Sequence, residues 1–261
     1  MSNSSDLSNH PSDITVSIVS HGHGRQVERL VEQVLRDPSV GRLILTLNIE
    51  EDLSLANDYK IVKIQNQTPK GFGANHNAAF KRCKTPFFCV LNPDIVLSDS
   101  TFEQLRACLI GTKAAVAGPL VLAASGDQED SWRKFPTILS LGMKSIGHDT
   151  TVIKSIDQES PLFPDWIAGM CMLFDADQYR AVNGFDETIF LYYEDVDICA
   201  RLWQKGSPVV ASPSARVVHN AQRASRRQWQ HMKWHACSMA RYFKKYTFRT
   251  PKTDKKSINE R

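Results

Sequence analysis

The feature that most constrains the fold of this chain is a regular alternation of strand and helix patterns over residues 14–122. The predicted strands are Ile14–Ser20, Arg42–Asn48, Lys60–Gln65, Pro86–Leu91 and Ala115–Leu122. The first predicted helix is Arg25–Arg36, and the second begins at Gly71-Phe72-Gly73 and runs to about Cys83. The third begins at a capping box formed by Ser100 and Glu103 and ends at Gly111. Alternation at this spacing indicates βαβ units. We therefore predict an α/β fold with a mostly parallel, Rossmann-like sheet flanked by helices.

Polar or glycine-rich segments follow the predicted strands, at the ends that parallel strands share. These segments are Ser20-His21, Asn48–Asp52, Asn66–Gly73 and Asn92–Asp94. Right-handed crossovers bring such ends to one edge of the sheet, where ligands bind. Gly71-Phe72-Gly73 also leads into a helix N-terminus, which favours phosphate oxygens, although a plain turn before a helix explains the same residues. The segment is not a dinucleotide fingerprint, because His76 stands where the third glycine is needed.

The second half of the chain has a looser pattern. Residues 123–164 show little periodicity, and we interpret them as a long, partly mobile excursion over the site edge. The elements predicted after it are a strand Trp166–Phe174, a short helix capped by Asp175 and ended by Gly184, a helix Glu194–Lys205 that buries Val196, Cys199, Ala200 and Trp203, strands Val209–Ala211 and Arg216–His219, and an amphipathic helix Ser225–Tyr246 with the stripe Trp229, Met232, Ala236, Met239, Ala240 and Phe243.

These patterns predict one globular domain with extensions. The predicted parts are a disordered polar N-terminus (1–13), an α/β domain (14–224) made of a nucleotide-binding half (14–122) and a second half (123–224), an amphipathic basic helix (225–249) and a flexible tail (250–261). The N-terminus lacks an apolar core and no stretch is long enough to cross a bilayer, so we expect a cytoplasmic protein. The six cysteines form no CxxC pair, which favours buried free thiols over a zinc site.

Charge is distributed unevenly along the chain. Residues 216–261 hold 13 Lys or Arg and 2 Asp or Glu, whereas the rest of the chain carries an excess of acid, and the whole has a net charge of +4. A basic segment on an acidic body indicates an anionic partner such as nucleic acid, acidic lipid or a phosphorylated substrate. A packed helix with a solvated basic face is an equally good explanation.

Three groups of residues are candidates for chemistry. Asn92-Pro93-Asp94 follows a buried strand, where Asp94 suits a divalent cation, although the three residues also suit a β-turn. Glu194-Asp195-x-Asp197 opens a helix after an aromatic run, so these carboxylates are either first-turn helix stabilisers or a base beside aromatic walls. His219 ends a strand, where a histidine is more often a structural hydrogen bonder than a ligand.

Together these motifs carry a resemblance. The chain from Ile14 to about Phe243 resembles the family 2 inverting glycosyltransferases of the GT-A fold, and within them the bacterial rhamnosyltransferases of surface polysaccharide assembly. The matching segments are Val16–His21, Gly71–Gly73 with Asn77, Leu91–Asp94, Trp166–Gly169 with Met172-Leu173, Gly184–Glu187, Tyr193–Asp197, Arg201-Leu202, Gly206 and His219.

The resemblance implies an enzyme that moves a sugar, with L-rhamnose from dTDP-rhamnose as the best guess, from a nucleoside diphosphate to a hydroxyl of a glycan or lipid-linked acceptor. It implies that residues 123–224 form the acceptor and catalytic half. It also implies that Asp195, paired with Glu194, is the general base, and that Asp94 and His219 hold Mg²⁺ or Mn²⁺. The donor-binding residues that it implies are Ser20, His21, Asn48, Gly71, Phe72, Gly73, Asn77, Asn92, Asp94, Trp166 and Gly169. The acidic cluster Asp94, Asp186, Glu187, Glu194, Asp195 and Asp197 is then expected to converge on one edge.

The resemblance also bears on partners. Lipid-linked acceptors would suit attachment of residues 225–249 to the anionic inner face of the cytoplasmic membrane, and no nucleic-acid partner is expected. Asn92 departs from the family pattern, which commonly has Asp there, so modest cation affinity is expected. The alternative is a non-catalytic adaptor on a nucleotide-binding fold that binds nucleic acid or lipid through its basic helix. A sugar nucleotidylyltransferase is disfavoured, because Gly22-His23-Gly24-Arg25 is too short for its phosphate loop.

Overall fold

The structure is a computed structural model that describes residues 12–154, 159–220 and 228–246, together with Thr253. The strands are β1 Ile14–Ser20, β2 Val40–Leu47, β3 Ile61–Gln65, β4 Phe87–Leu91, β5 Ile95–Leu97, β6 Val116–Ala123, β7 Trp132–Arg133, β8 Trp166–Ile167, β9 Cys171–Asp175 and β10 Val209–His219. The helices are α1 Arg25–Arg36, α2 Phe72–Phe80, α3 Thr101–Thr112, α4 Ile138–Ser145, α5 Ala176–Ala181, α6 Glu194–Gln204 and α7 Gln228–Tyr246.

Eight strands form one sheet in the order β3-β2-β1-β4-β9-β6-β10-β5, and β7 pairs with β8 in a separate two-stranded sheet. Neighbours β3-β2-β1-β4 are parallel, as are β6 and β10. β9 runs antiparallel between β4 and β6, and β5 is antiparallel to β10. The predicted α/β class with a mostly parallel sheet is confirmed.

Apolar side chains cover both faces of the sheet. On one face α1 buries Val27, Leu30, Val31 and Val34, and α3 packs beside it. These four residues recur at the spacing of one helical face, which is why the sequence predicts both ends of α1 correctly. On the other face α2, α5, α6 and the end of α7 pack together. Both faces are therefore shielded from water, and the polar strand ends are left as the accessible edge.

Several predicted boundaries are wrong for local reasons. Ser100 makes no side-chain cap bond, so the capping box is absent, and α3 runs past Gly111 to a left-handed Lys113. Instead, the Thr101 hydroxyl accepts a hydrogen bond from the Ser98 amide (3.0 Å). The predicted strand 166–174 is two strands, β8 and β9, separated by residues 168–170. Strands 209–211 and 216–219 are one strand, β10, whose register shifts between Ser212 and Arg216.

The excursion 123–164 contains more structure than its sequence indicates. It forms β7 and α4, and α4 begins with a capping box in which Thr137 and Ser140 bond each other's backbone amides. Arg133 ties the excursion together through Asp149 (3.1 Å) and Thr151 (2.9 Å). Hydrogen bonds of this kind carry no hydrophobic period, so the pattern analysis could not find these elements.

Helix α7 buries only part of its predicted apolar stripe, since Met239 and Phe243 pack partly buried against the core. Trp229 and Met232 are exposed (85% and 59%), whereas Ser238, Tyr242 and Tyr246 are buried. The Ser238 hydroxyl donates to the Leu191 carbonyl (2.8 Å). Hydrogen bonding and aromatic packing therefore shift the buried face from the predicted stripe, which it keeps only at Met239 and Phe243.

Some predictions concern residues outside the described ranges. Residues 1–11 and nearly all of the predicted tail lie there, as do 221–227, where the boundary between domain and basic helix was expected. Within the described ranges, order begins before Ile14. Asp13 is buried and pairs with the Arg106 guanidinium at 2.8 Å.

Candidate active site

A turn of unusual backbone conformation delivers two carboxyl groups to the start of α6. Tyr192 and Tyr193 both have positive φ angles (69° and 67°), which residues with a side chain rarely adopt. Glu194 and Asp195 follow directly, in the first turn of the helix. Conformations of this kind cost about 1–3 kcal/mol each, so surrounding contacts must hold the turn in place.

Asp195 is held by two backbone amides. One carboxylate oxygen accepts from the Gly169 N–H (3.0 Å) and the other from the Val196 N–H (2.8 Å). Gly169 lies in the break between β8 and β9, so the break that the sequence analysis missed supplies one of these contacts. Burial nevertheless raises the pKa of Asp195 above its usual range. A carboxylate fixed in orientation and made more basic is suited to accept a proton.

Glu194 is buried beside it, with 5% of the residue exposed. Burial, and then the charge of Asp195, raise the pKa of Glu194 well above its usual range. One of its carboxyl oxygens is buried and has no hydrogen-bond partner. The pair thus resembles other coupled carboxyls in which one group resists ionisation and the other carries the charge.

Glu194 and Asp195 line a cavity of about 290 Å³. Its other lining residues include the cationic side chains Arg133, Lys134 and Lys144 and the aromatic side chains Trp166, Tyr192, Tyr193 and His235. The Trp166 indole donates to the Lys134 carbonyl (3.0 Å), which joins β8 to the excursion. Asp149 also lines the cavity and pairs with Arg133 (3.1 Å) and Lys144 (3.0 Å). The cavity therefore combines aromatic walls, which suit a sugar ring, with charged side chains of both signs.

A second polar site contains Asp94 and His219. The two are neighbours because β10 pairs with β5, which sets His219 opposite Ile95. His219 Nε2 lies 3.0 Å from the Asp94 carboxylate, whose other oxygen is buried and unpartnered. The Ile95 amide donates to the Asn92 carbonyl (3.3 Å), so Asn92-Pro93-Asp94 is also the β-turn that its sequence suggests.

Glu129 completes this second site, and the sequence analysis missed it. Its carboxylate lies 2.7 Å from His219 Nδ1, across 90 residues of chain. Hydrogen bonding to Asp94, and secondarily the contact with Glu129, raise the pKa of His219 to about 9. The ring is therefore protonated at neutral pH and donates from both nitrogens. No motif marks Glu129, which lies in the aperiodic excursion.

Asn48 organises the edge at the ends of β1, β2 and β3. Its amide oxygen accepts from the Asn66 side chain and the Lys70 amide (both 2.8 Å), and its nitrogen donates to the Lys70 carbonyl (3.0 Å). The same side-chain nitrogen lies 3.3 Å from Nδ1 of the exposed His21. The backbone N–H of Asn48 donates to the carbonyl of the buried Ser20 (2.8 Å). Ser20, His21 and Asn48, which the resemblance predicts to bind the nucleotide-sugar donor, are thus brought together.

Gly71, Phe72, Gly73 and Asn77 join α2 to the loop before the acidic pair. A Cβ on Gly71 would come within 2.6 Å of the Phe190 carbonyl oxygen, and one on Gly73 within 2.6 Å of the Phe185 side chain. The Phe72 amide donates to the Phe190 carbonyl (2.9 Å). Only glycine allows this approach, so these residues position the loop that leads to Glu194.

Asn77 uses both ends of its amide for the same purpose. Its oxygen accepts from the Phe185 amide (2.9 Å) and the Tyr179 hydroxyl (2.7 Å), and its nitrogen donates to the Phe185 carbonyl (2.9 Å) and to Glu187 (3.0 Å). The Asn77 side chain therefore holds the loop that leads to Glu194 against α2.

The expectation that six acidic residues converge on one edge is wrong. Asp197 is fully buried and accepts from Arg201 (2.7 Å), Lys245 (2.6 Å) and Tyr246 (2.8 Å). Asp186 also pairs with Lys245 (3.1 Å), and Glu187 pairs with Asn77. Of these six residues, Asp94 alone takes part in the histidine site, and Glu194 and Asp195 alone line the cavity. Helical spacing points Asp197 away from Asp195, toward α7.

Comparison with protein families supplies the identification. The model of the family described as glycosyltransferase like family 2 matches residues 10–236, which is most of the chain. The chain belongs to glycosyltransferase family 2. This family 2 membership supports an enzyme over the adaptor hypothesis.

Two curated relatives show where in the family the similarity lies. The chain is 28% identical over 244 residues to rhamnosyltransferase WbbL of Escherichia coli K12, covering 88% of this chain and 92% of that protein. It is 31% identical over 140 residues to the N-acetylglucosaminyl-diphospho-decaprenol L-rhamnosyltransferase of Mycobacterium tuberculosis, covering 50% of this chain and 46% of that protein. This family 2 member is therefore similar to rhamnosyltransferases.

Solved structures support the fold. GalNAc-T7 with UDP, GalNAc and Mn²⁺ superposes with a TM-score of 0.60 at 14% identity, over 82% of this chain and 47% of that chain. The mannosyltransferase PcManGT of Pyrobaculum calidifontis with GDP-Man and Mn²⁺ gives 0.58 at 11% identity, over 91% and 68%. The GT-A fold of this family 2 glycosyltransferase is confirmed. None of its described helices combines the length and apolar character that a membrane span requires.

Proposed function

We propose that this protein is an inverting glycosyltransferase that moves a sugar from a nucleoside diphosphate donor to an acceptor hydroxyl, with Asp195 as the general base. The observation that carries the proposal is the Asp195 carboxylate, oriented by the Gly169 and Val196 amides at the wall of the cavity, with a pKa raised by burial. A sugar hydroxyl is a poor nucleophile, so a fixed base beside it lowers the barrier.

The proposed reaction is a single displacement. Asp195 accepts the proton of the acceptor hydroxyl while that oxygen bonds to the anomeric carbon of the donor sugar. The bond from the anomeric carbon to the diphosphate oxygen breaks on the opposite face, so the anomeric centre inverts. Glu194 supports the base from its buried position, where its raised pKa favours the neutral form and limits repulsion of Asp195.

Mg²⁺ or Mn²⁺ is the proposed cofactor, and the residues at the second site fit it. Asp94 offers a buried oxygen without a hydrogen-bond partner, and His219 is adjacent. No group of three or more His, Cys, Asp or Glu side chains arranged for a metal is found in the described ranges. Two protein ligands nevertheless suffice where substrate phosphates and water complete the shell. When bound, the cation would neutralise the diphosphate leaving group.

Glu129 is the proposed positioning residue for this cation. Its contact with Nδ1 fixes the His219 ring and keeps a proton on that nitrogen. Nε2, which faces Asp94, is then the nitrogen that would give up its proton to bind the cation. Carboxylates that orient a histidine ligand in this way commonly affect metal affinity. Asn92, in the same turn, leaves Asp94 as its only acidic side chain.

The donor is proposed to lie between the two sites, and dTDP-rhamnose is the best candidate because the relatives above are named rhamnosyltransferases. Ser20, His21 and Asn48 would contact the nucleoside, and Asn92 and Asp94 the diphosphate side. Trp166 and Gly169 would face the sugar. Gly71, Phe72, Gly73 and Asn77 would contribute by shaping this region through the loop that they hold.

We propose that the acceptor is a glycan or a lipid-linked sugar. We also propose that the enzyme acts at the cytoplasmic side of the membrane. The Lys134 side chain lines the same cavity as Asp195, which supports an acceptor that carries phosphate.

The test is Asp195→Asn, with Asp177→Asn as the control. The Asp177 carboxylate is 87% exposed on α5 and lies outside the cavity lining. We expect Asp195→Asn to abolish transfer in a nucleotide-release assay. Donor binding should persist, as measured by thermal shift with dTDP-rhamnose, UDP-sugars and GDP-mannose. The control should match the wild type. Normal turnover by Asp195→Asn would overturn the base assignment.

A further inference from the structure

The four residues that precede the acidic pair form a turn, here termed the approach turn (residues 190–193), that other parts of the fold must stabilise. Tyr192 and Tyr193 adopt positive φ angles of 69° and 67°. Such conformations persist in residues with a side chain only where the surrounding structure over-determines them. Tyr193 also stands at the N-cap of α6 without a side-chain hydrogen bond to that helix. The contacts that hold the approach turn therefore come from neighbouring elements.

Backbone support for the approach turn comes from two helices. The Phe72 amide at the start of α2 donates to the Phe190 carbonyl (2.9 Å). The next carbonyl, that of Leu191, accepts from the Ser238 hydroxyl of α7 (2.8 Å). Ser238 is only 3% exposed, so water cannot readily replace this hydrogen bond if the hydroxyl is removed. Helix α7 thus supports the backbone directly before the two tyrosines with positive φ.

The three aromatic side chains of the approach turn also contact α7. The ring pairs, with centroid separations of 4.8 and 5.4 Å, are Phe190 with Trp234 and Tyr193 with Tyr242. The Tyr192 hydroxyl lies 2.9 Å from His231 Nδ1. Aromatic pairs of this kind stabilise a structure beyond the apolar area that they bury. Helix α7 therefore contacts each of the four residues of the approach turn.

We propose that α7 positions the general base, with Ser238 and His231 as positioning residues that fix the approach turn and thereby the orientation of Asp195. The inference rests on the proposed function. Ser238 and His231 both lie outside the cavity lining, so they act through the turn and not by touching substrate. Misplacing a catalytic group by about 1 Å can lower the rate about a hundredfold. Loss of either contact should therefore lower kcat and leave KM nearly unchanged.

The test is Ser238→Ala in the full chain, with Cys237→Ala as the matched control. Alanine favours a helix at least as well as serine, so the variant removes the hydroxyl without weakening α7. Cys237 is the preceding residue of the same helix, and its thiol is free and exposed. The nucleotide-release assay uses the donor that binds the wild type most tightly in the thermal-shift series. We expect kcat of Ser238→Ala to fall about tenfold, KM for the donor to stay within about twofold, and the control to match the wild type.

His231→Ala reaches the approach turn from a second contact and should give the same loss of kcat. It also keeps the proposal testable if Ser238→Ala does not fold. Hydrogen exchange followed by mass spectrometry supplies a measurement that does not depend on transfer. We expect the amides of residues 190–196 to exchange about tenfold faster in Ser238→Ala and at the wild-type rate in Cys237→Ala.

Three results would overturn the proposal. The first is wild-type kcat in the folded positioning variants, Ser238→Ala and His231→Ala, even where their stability is lower, since that would make the contacts structural only. The second is a raised KM with unchanged kcat, which would assign the contacts to substrate binding. The third is unchanged exchange in residues 190–196. Normal transfer by Asp195→Asn would refute the catalytic proposal and leave the exchange result intact, so the two failures are distinguishable.

Discussion

Replacing Asp197 with alanine removes the acceptor shared by three donors on α6 and α7. The carboxylate is fully buried, and its partners are the Arg201 guanidinium, the Lys245 ammonium and the Tyr246 hydroxyl. Breaking a buried ion pair by removing one partner costs about 3–5 kcal/mol, because the remaining charge is left uncompensated. The Lys245 side chain is 38% exposed and can be solvated by water, so its share falls toward the surface value of at most about 1 kcal/mol.

Arg201 and Tyr246 therefore dominate the expected loss. The Arg201 side chain is 18% exposed and Tyr246 is buried, so neither recovers its bond from water. We expect Asp197→Ala to lower the free energy of unfolding by about 3 kcal/mol. Urea denaturation followed by circular dichroism measures the loss, and Asp177→Ala, on the exposed face of α5, should change stability by less than about 0.5 kcal/mol.

The same variant distinguishes a structural carboxylate from a catalytic one. We expect the folded fraction of Asp197→Ala to bind donor and to transfer sugar, in contrast to Asp195→Asn. A loss of stability below about 1 kcal/mol would refute the packing argument. Loss of transfer with unchanged stability would return Asp197 to the catalytic group.

Two further predictions follow from buried or positioned histidines. Burial lowers the pKa of His76 to about 3, so His76 binds a proton in the unfolded chain at a higher pH than in the folded chain. The wild-type free energy of unfolding should therefore fall as the pH drops below 6.5, by about 1.4 kcal/mol per pH unit. His76→Gln should flatten this slope in urea titrations between pH 7 and 5, and an unchanged slope would contradict it. Glu129→Ala should weaken Mn²⁺ binding, read by electron paramagnetic resonance with nucleoside diphosphate present, about tenfold. Glu129→Gln still accepts from His219 and should lose less, whereas wild-type affinity in Glu129→Ala would exclude the positioning role.

Local periodicity accounts for much of what the sequence predicted. The bounds of β1 and α1 match in full, and α6 begins at Glu194 as predicted. In these segments a single buried face repeats with the period of the element, so the pattern is visible without the partner. The glycine pair at the start of α2 was also visible, although the structure gives it packing contacts with Phe185 and Phe190.

Errors arose where bonding across the fold replaces periodicity. The break between β8 and β9 interrupts a continuous apolar run, because it supplies the Gly169 amide to Asp195. The most buried residues of α7 are Ser238, Tyr242 and Tyr246 and not the whole apolar stripe, because Ser238 and Tyr246 have their partners on α6 and the loop before it. No spacing within α7 reports those partners.

The sequence by itself determined the α/β class, the family and the identity of Asp94, Asp195 and His219 as candidates. Local propensity and short motifs depend on residues that are neighbours in the sequence, so they can be recognised before the fold is known. Only the tertiary structure decided that Glu129 meets His219 and that Asp197 anchors α7. It also left Ile138 and Leu139 of α4 and Trp229 and Met232 of α7 exposed to solvent. Those contacts join residues far apart in the chain, and their energies depend on burial, which exists only once the sheet has assembled.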